Sequence, residues 1–448
     1  MLDQMFTAEN FRRVFDIENR KGLDLVGLFF PHLNPMTLAI KDKVTEIRAL
    51  RAQQSTMSVE DFDASFAALK TDLAALKSQK SAAIDAEMEA LSDAVSQSNF
   101  KLVLEKKTGP LEKPVFVIDG TAATFFVIKQ LQKNVNRIYG VKQSNRHDLA
   151  CQVRDTIRSG FPFELVRTDI SAFYESIDRK KLLTKLDADQ LLSSSSKKFI
   201  KQILDSYGQL SGSADGIPRG VGISAYLAEL YLRPLDRDIR SMPGLVLYCR
   251  YVDDIVAVFA KPPAGETLAA YDDLIIAALG SYQLNHNPIK TTTIKIGAGS
   301  ANTFEYLGYR FTVGNGPLTI APSDAKLVKL GQRIDAVFEA YRERAPVNPR
   351  EAYREVVARV KFLTGNTRLL NSKSTAATGI YYNNPIVTDL TGFAILDTLL
   401  KKRIKAIKRP KLRKRLLRFT LVGGFNERRF HSFSSRELQY IVKAWKHA

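Results

Sequence analysis

Three features of the sequence predict an α+β fold. The run 245–259 is apolar and β-branched on both sides of Asp253-Asp254, as two short strands around a turn would be. A second apolar run ends at Asp169, far upstream. Elsewhere helical spacing dominates. Phe62, Phe66, Leu69, Leu73 and Leu76 alternate four- and three-residue steps, Ile84, Met88, Leu91 and Val95 resume them after a one-residue slip, and Leu327, Leu330, Ile334 and Val337 repeat the pattern later. Helical regions at both ends of the chain therefore flank a central sheet.

In chain order, Phe6, Phe11, Val14 and Phe15 predict an amphipathic helix, followed by a Gly/Pro-punctuated stretch over 22–35. Residues 41–100 read as one long helix or a helical hairpin. It is either an arm for a partner subunit or a helix packed on its own domain, and heptads this short leave oligomerisation open. Val115-Phe116-Val117-Ile118 predicts a strand, Asp119-Gly120 a turn, and Lys129, Lys133 and Arg137 mark a basic helix. Residues 324–365 are helical. Beyond them Lys401-Lys402-Arg403, Lys405, Lys408-Arg409, Lys411, Arg413-Lys414-Arg415 and Arg418 crowd one segment interrupted by Pro410. Charge this dense on a basic chain points to nucleic-acid backbone, with Lys411, Arg413, Lys414 and Arg415 as the contacts.

Composition narrows the partners. The 448 residues carry a formal charge of +19, a pI near 9.7 and 45% hydrophobic content, which suits a globular chain that binds phosphates and releases their counterions. Nucleic acid is favoured over membrane. Cys151 and Cys249 give neither a zinc spacing nor a disulfide framework, so a reducing cytoplasm fits. No signal-peptide core is present, and the uncharged run 25–40 is broken by Pro31, His32, Asn34 and Pro35. Neither secretion nor membrane insertion is expected. The scattered histidines form no nucleophile motif.

An Asp pair between strands is, taken alone, an ordinary turn. Its ordered company changes that reading. Thr168-Asp169-Ile170-Ser171-Ala172-Phe173-Tyr174 lies upstream, then Gly216-Ile217-Pro218-Arg219-Gly220-Val221-Gly222; Asn285-His286-Asn287-Pro288-Ile289-Lys290 and Phe304-Glu305-Tyr306-Leu307-Gly308-Tyr309 follow Tyr251-Val252-Asp253-Asp254. In order and spacing these resemble motifs A to E of reverse transcriptases. Residues 10–22, 139–146 and 379–384 further resemble the bacterial defence-associated, abortive-infection-like reverse transcriptases, most of all the b-type subunit of the type 3 defence system.

The resemblance implies a right-hand polymerase. Residues 1–165 would hold the N-terminal helical region and fingers, 166–320 the palm, and 321–448 a helical thumb with the basic tail. Asp169 and Asp253, with the Ile170 carbonyl nearby, would hold two Mg2+ or Mn2+ ions, and Asp254 would assist. Such ions stand roughly 3.5–4 Å apart, so their carboxylates must converge from separate segments. Lys290 resembles the general acid for departing pyrophosphate. Tyr174 stands where a ring excludes a ribose 2′-hydroxyl, which favours dNTPs. Lys129, Lys133, Arg137, Lys142 and Arg146 are fingers candidates for the triphosphate, as a group. Tyr306, Leu307 and Gly308 resemble the primer grip. Arg219 replaces the commoner Gln of its motif and leaves three roles open: triphosphate, template strand or base edge.

The function expected is an antiphage RNA-directed DNA polymerase in a bacterial cytoplasm, with an unusual template or none. A companion reverse transcriptase and a non-coding RNA are the implied partners. Two alternatives stand beside it: a retroelement enzyme of intron or retron type, and an RNA-binding scaffold with dispensable catalysis. Three carboxylates gathered in a basic protein speak against the scaffold.

Overall fold

The computed structural model describes residues 3–109, 114–159, 161–260, 270–296, 302–314, 316–368 and 376–445. Two compact units interleave along the chain: Met1–Gln143 with Ala172–Arg233, and Ser144–Ser171 with Pro234–Ala448.

The first unit is mainly helical. The amphipathic helix Ala8–Arg20 buries Phe11, Val14 and Phe15. Phe11 meets Phe126 of the helix Ala122–Tyr139 with ring centroids 5.8 Å apart, and Arg12 reaches Asp85 at 2.7 Å. The helical stretch expected over 41–100 is a hairpin of Asn34–Ala52 and Val59–Ser96, so it starts seven residues earlier. Ser58 caps the second helix by accepting from the Asp61 amide. Phe62, Ile84, Met88 and Val95 are buried along it, whereas Leu69, Leu73 and Leu76 are half-buried. Strands β1 (Leu104–Thr108) and β2 (Pro114–Ile118) pair antiparallel, and Phe116 packs edge-on to Tyr207 of the helix Ser194–Ser211. The helix Ala122–Tyr139 is capped by Thr121 and stops at Gly140, whose φ of 60° is the left-handed conformation that ends helices.

The second unit carries the sheet. Strands β3 (Phe163–Asp169), β4 (Leu245–Tyr251), β5 (Asp254–Ala260) and β6 (Thr292–Ile296) stand in the order β4-β5-β3-β6, every pair antiparallel. Central β5 is covered on both faces, and Ile255 to Phe259 are all fully buried. Its unbroken apolar sequence follows from that position. A second sheet, β7 (Asn302–Tyr306), β8 (Tyr309–Val313) and β9 (Thr319–Pro322), is a meander, and β10 (Asn366–Arg368) pairs with β11 (Ala377–Gly379). The helices Asp324–Arg344, Pro349–Thr364 and Thr391–Lys405 pack with these sheets around one core that includes Leu165, Val256, Tyr306, Phe311 and Phe393. Among the described residues no helix is long and apolar enough to cross a membrane.

Candidate active site

Strand pairing sets the carboxylate geometry. Asp169 ends β3 directly opposite Asp254, which begins β5. The hairpin from β4 to β5 turns on Val252 and Asp253, with Val252 at φ 59°. That is the left-handed region, an outlier for a β-branched residue. Hydrogen bonds hold the turn: the Ile170 amide donates to the Asp253 carbonyl at 3.0 Å, and Arg250 Nη1 donates to the Val252 carbonyl at 3.0 Å. Arg250 is itself buried and gripped by Asp236 through two bonds of 2.7 Å, while Tyr248 donates to the same carboxylate. Asp253 is thus fixed through its backbone from both sides.

Residues 285–291 brace the other side of Asp169. The Asn287 amide donates to the Asp169 carbonyl, and the Ser171 amide to the Asn285 carbonyl, both at 2.8 Å. The Thr168 and Thr291 hydroxyls meet at 2.8 Å. This bridging delivers Lys290, whose Nζ stands 2.8 Å from Asp169 Oδ2. Lys290 is therefore a counter-charge for Asp169.

Asp254 sits in a dry place, at the start of central β5. Burial pushes its pKa up to about 6, with Asp169 and Asp253 adding repulsion and Arg167 opposing it. Its Oδ1 is buried without a hydrogen bond. Among the described residues no three His, Cys, Asp or Glu side chains converge into a ready-made metal shell. The donor chemistry nonetheless fits a hard cation: carboxylate oxygens in mutual repulsion, one of them buried and unsatisfied.

Arg167 went unnoticed in the sequence, although its position two residues before Asp169 puts both on one face of β3. Asp236 and Arg250 left no signal that spacing could find.

The motif E hairpin joins β7 to β8 through Leu307 at φ 50° and Gly308 at φ 76°, two consecutive left-handed residues as a tight hairpin requires. Tyr306 is fully buried, so this residue supports the hairpin from within. The Leu307 carbonyl accepts from Arg146 Nε at 3.2 Å, and the Arg146 guanidinium lies 6.0 Å from the Tyr251 ring centroid. Arg146, grouped with the fingers cations in the sequence, belongs to the second unit and links the motif E turn to the motif C tyrosine.

The remaining fingers candidates lie in the first unit. Lys129 pairs with buried Glu18 at 2.9 Å, and Lys133 donates to Asn10 at 3.3 Å. Both are drawn to the N-terminal helix, a long-range pairing that spacing along the chain does not reveal. Burial and neighbouring Arg137 lower the Lys133 pKa. Arg137 and Lys142 are exposed.

Arg219 and Tyr174 come together in this unit. The Arg219 guanidinium lies 5.7 Å from the Tyr174 ring centroid, and its Nη2 donates to Glu175 at 3.1 Å. The Arg219 carbonyl accepts from the Phe116 amide at 2.8 Å. Gly220, at φ 101°, lets this backbone approach β2, since a Cβ there would stand 2.6 Å from the Phe116 carbonyl oxygen. Phe173 is buried. In the tail, Lys411, Lys414 and Arg415 are exposed and Arg413 half-buried on the short helix Pro410–Leu416, anchored by Leu412 and Leu416.

The family described as reverse transcriptase (RNA-dependent DNA polymerase) matches residues 127–311. The chain carries a reverse transcriptase domain. That is the domain of RNA-directed DNA polymerases, and it contains Asp169, Asp253, Asp254 and Lys290. No curated protein matches the chain in sequence. Among solved structures, apo telomerase from Candida tropicalis is 13% identical with a TM-score of 0.41, covering 78% of this chain and 63% of its own. Telomerase from Candida albicans in complex with a TWJ fragment of telomeric RNA is 12% identical, with a TM-score of 0.36 and the same coverages. A Candida tropicalis apo telomerase truncated from its C-terminal domain is 16% identical, with a TM-score of 0.33, covering 50% of this chain and 54% of its own. The chain spans between 54% and 63% of the length of these telomerase chains.

Proposed function

We propose that the chain is an antiphage DNA polymerase of the reverse-transcriptase type, adding dNTPs to a primer. The observation that carries the polymerase reading is the strand register: Asp169 stands opposite Asp254, and the Asp253 turn is tied to Ile170. Asp169 and Asp253, with the Ile170 carbonyl, would hold two divalent ions, Mg2+ or Mn2+. When bound, these would activate the primer hydroxyl and neutralise the triphosphate. Lys290 Nζ donates to Asp169 and is the group from which departing pyrophosphate would take a proton. The Leu307-Gly308 turn would support the primer end, and Tyr174 would exclude a 2′-hydroxyl.

The defence role rests on the resemblance of residues 10–22, 139–146 and 379–384, and brings with it a companion reverse transcriptase and a non-coding RNA as partners. Arg219 in place of the usual Gln supports an unusual template or none.

The test incubates purified chain with dNTPs and Mg2+, with and without added nucleic acid, beside the variant Asp253→Asn. Incorporation should fall by at least about a thousandfold in the variant, roughly 4 kcal/mol of lost transition-state stabilisation, with an unchanged melting temperature. Phage protection should disappear with it. Undiminished synthesis by the variant removes the active-site assignment, and retained protection without synthesis removes the link between the two.

A further inference from the structure

A cleft of about 1300 Å3 opens in the second unit, lined only by residues 340–444, outside the stretch 127–311. The helices Asp324–Arg344, Pro349–Thr364 and Ser435–Lys443 contribute its walls. It exceeds the roughly 300–1,000 Å3 of a small-molecule site and suits a stretch of polymer better.

Its charges are unequally satisfied. Glu351 is answered by Arg344 at 2.5 Å, Glu355 by Arg359 at 3.0 Å, and Glu437 accepts from the Ser434 amide at 2.8 Å, while Glu343 also lines the cleft and has no cation in ion-pair distance among the described residues. Arg359 and Glu355 are 5% and 7% exposed, so this ion pair is a fixed floor. By contrast Arg354, Lys361, Arg415 and Lys443 line the cleft with no carboxylate in ion-pair distance among the described residues. Arg354 and Lys361 lie two helical turns apart, about 10 Å along one face. The Arg415 guanidinium stands 5.7 Å from the Tyr353 ring centroid, and its Nη1 donates to the tyrosine oxygen at 3.3 Å. Tyr440 lines the same cleft, half-buried. Arg415 also belongs to the basic tail, so the cleft is continuous with that surface.

We infer that this cleft binds single-stranded nucleic acid, in addition to any primer held by the polymerase domain. Unpaired bases stack on aromatic rings and guanidinium planes, as Tyr353, Arg415 and Tyr440 offer, while Arg354, Lys361, Arg415 and Lys443, none in an ion pair among the described residues, take phosphates. A duplex hides its base faces and would use only the cations. The inference does not need the carboxylates, and so stands or falls separately from the polymerase reading.

The test measures binding of fluorescein-labelled oligouridine, oligothymidine and a blunt duplex to the full chain by anisotropy across salt. The variant combines Arg354→Gln, Lys361→Gln and Lys443→Gln, with circular dichroism melts confirming its fold, and Tyr353→Leu reports stacking without a charge change. For the triple variant the single-strand Kd should rise at least about tenfold and the log–log salt slope flatten by about 2, at roughly 0.7 per lost phosphate contact. Duplex binding should change less than twofold. Tyr353→Leu should weaken single strands alone. A loss with either the RNA or the DNA strand supports the site, and the tighter strand names its source. Equal loss on strand and duplex overturns the inference, as does an unchanged slope or a polyglutamate peptide that competes as well as the oligonucleotides. Asp253→Asn should leave this binding intact even where synthesis is abolished.

Discussion

Arg167 Nε stands 3.6 Å from Asp254 Oδ1, and both atoms are buried without a hydrogen bond. Register explains the pairing. Asp169 faces Asp254 across the ladder and Arg167 faces Val256, so arginine and aspartate meet on the diagonal. Asp254 therefore has a resident counter-charge, as Asp169 has Lys290.

Removing that charge leaves Asp254 in a dry place beside two like charges. Arg167→Met should lower stability by about 1–3 kcal/mol, the cost of a buried group left uncompensated. Arg167→Lys should restore part of it, and adding Asp254→Asn to Arg167→Met should recover more. Urea denaturation of the wild type, Arg167→Met, Asp254→Asn and the double variant, with Arg167→Lys beside them, checks this. A coupling below about 0.5 kcal/mol would mean that proximity has no energetic content.

Tyr174 sits beside Arg219 in the first unit. Tyr174→Ala should raise ribonucleotide use relative to deoxynucleotide use by at least about tenfold, or about 1.4 kcal/mol, because the ring that would meet the 2′-hydroxyl is gone. Competition of labelled dNTP and rNTP pools measures it. Unchanged discrimination makes Tyr174 a packing residue of its own unit.

Arg219→Gln distinguishes two uses of the guanidinium. If Arg219 reads or replaces template, the nucleotide composition of the product should change, with discrimination moving by roughly 1–3 kcal/mol. Holding the triphosphate alone would instead raise the apparent KM equally for every dNTP. Glu175→Gln, which keeps the guanidinium and removes only its carboxylate partner, should change the product less than Arg219→Gln does. Sequencing products made at saturating dNTPs decides between them.

A pH dependence follows from Lys326, whose Nζ donates to the Asn383 carbonyl at 3.0 Å and lies 4.9 Å from the Tyr309 ring centroid. Burial, with help from Arg146, lowers its pKa to about 8 from the ordinary 10.5. Between these values the folded chain binds fewer protons than the unfolded one, so stability should rise as pH climbs from about 8 toward 10.5. Lys326→Met should flatten that rise. Chemical denaturation at a series of pH values reads the effect, and an identical slope in the variant would place its origin elsewhere.

How far the sequence could be read depends on the range of each interaction. The strand end at Asp169 and the turn at Asp253-Asp254 were legible in the apolar runs around them, whereas Leu307-Gly308 was expected only from the resemblance to motif E. The helical hairpin was legible in its spacing. The pairing of Lys129 was not, since its partner Glu18 arrives from another helix, and neither was that of Arg146, because only the fold carries it to the Leu307 carbonyl. Arg167 needed one further fact, the pairing of β3 with β5, before its place two residues before Asp169 acquired meaning. The interleaving of the two units is likewise invisible to a reading by contiguous segments.

Val252 is held at φ 59° by bonds to its own carbonyl and to that of Asp253. Such a backbone costs a β-branched residue about 1–3 kcal/mol. Position 252 is thereby ruled by torsion angle and not by bulk. Glycine or asparagine would relax there, and the relaxed turn would wander further, taking the Asp253 carboxylate with it. The residues easiest to accommodate are the ones that aim least well, so thermal robustness and positional accuracy compete at a single backbone angle.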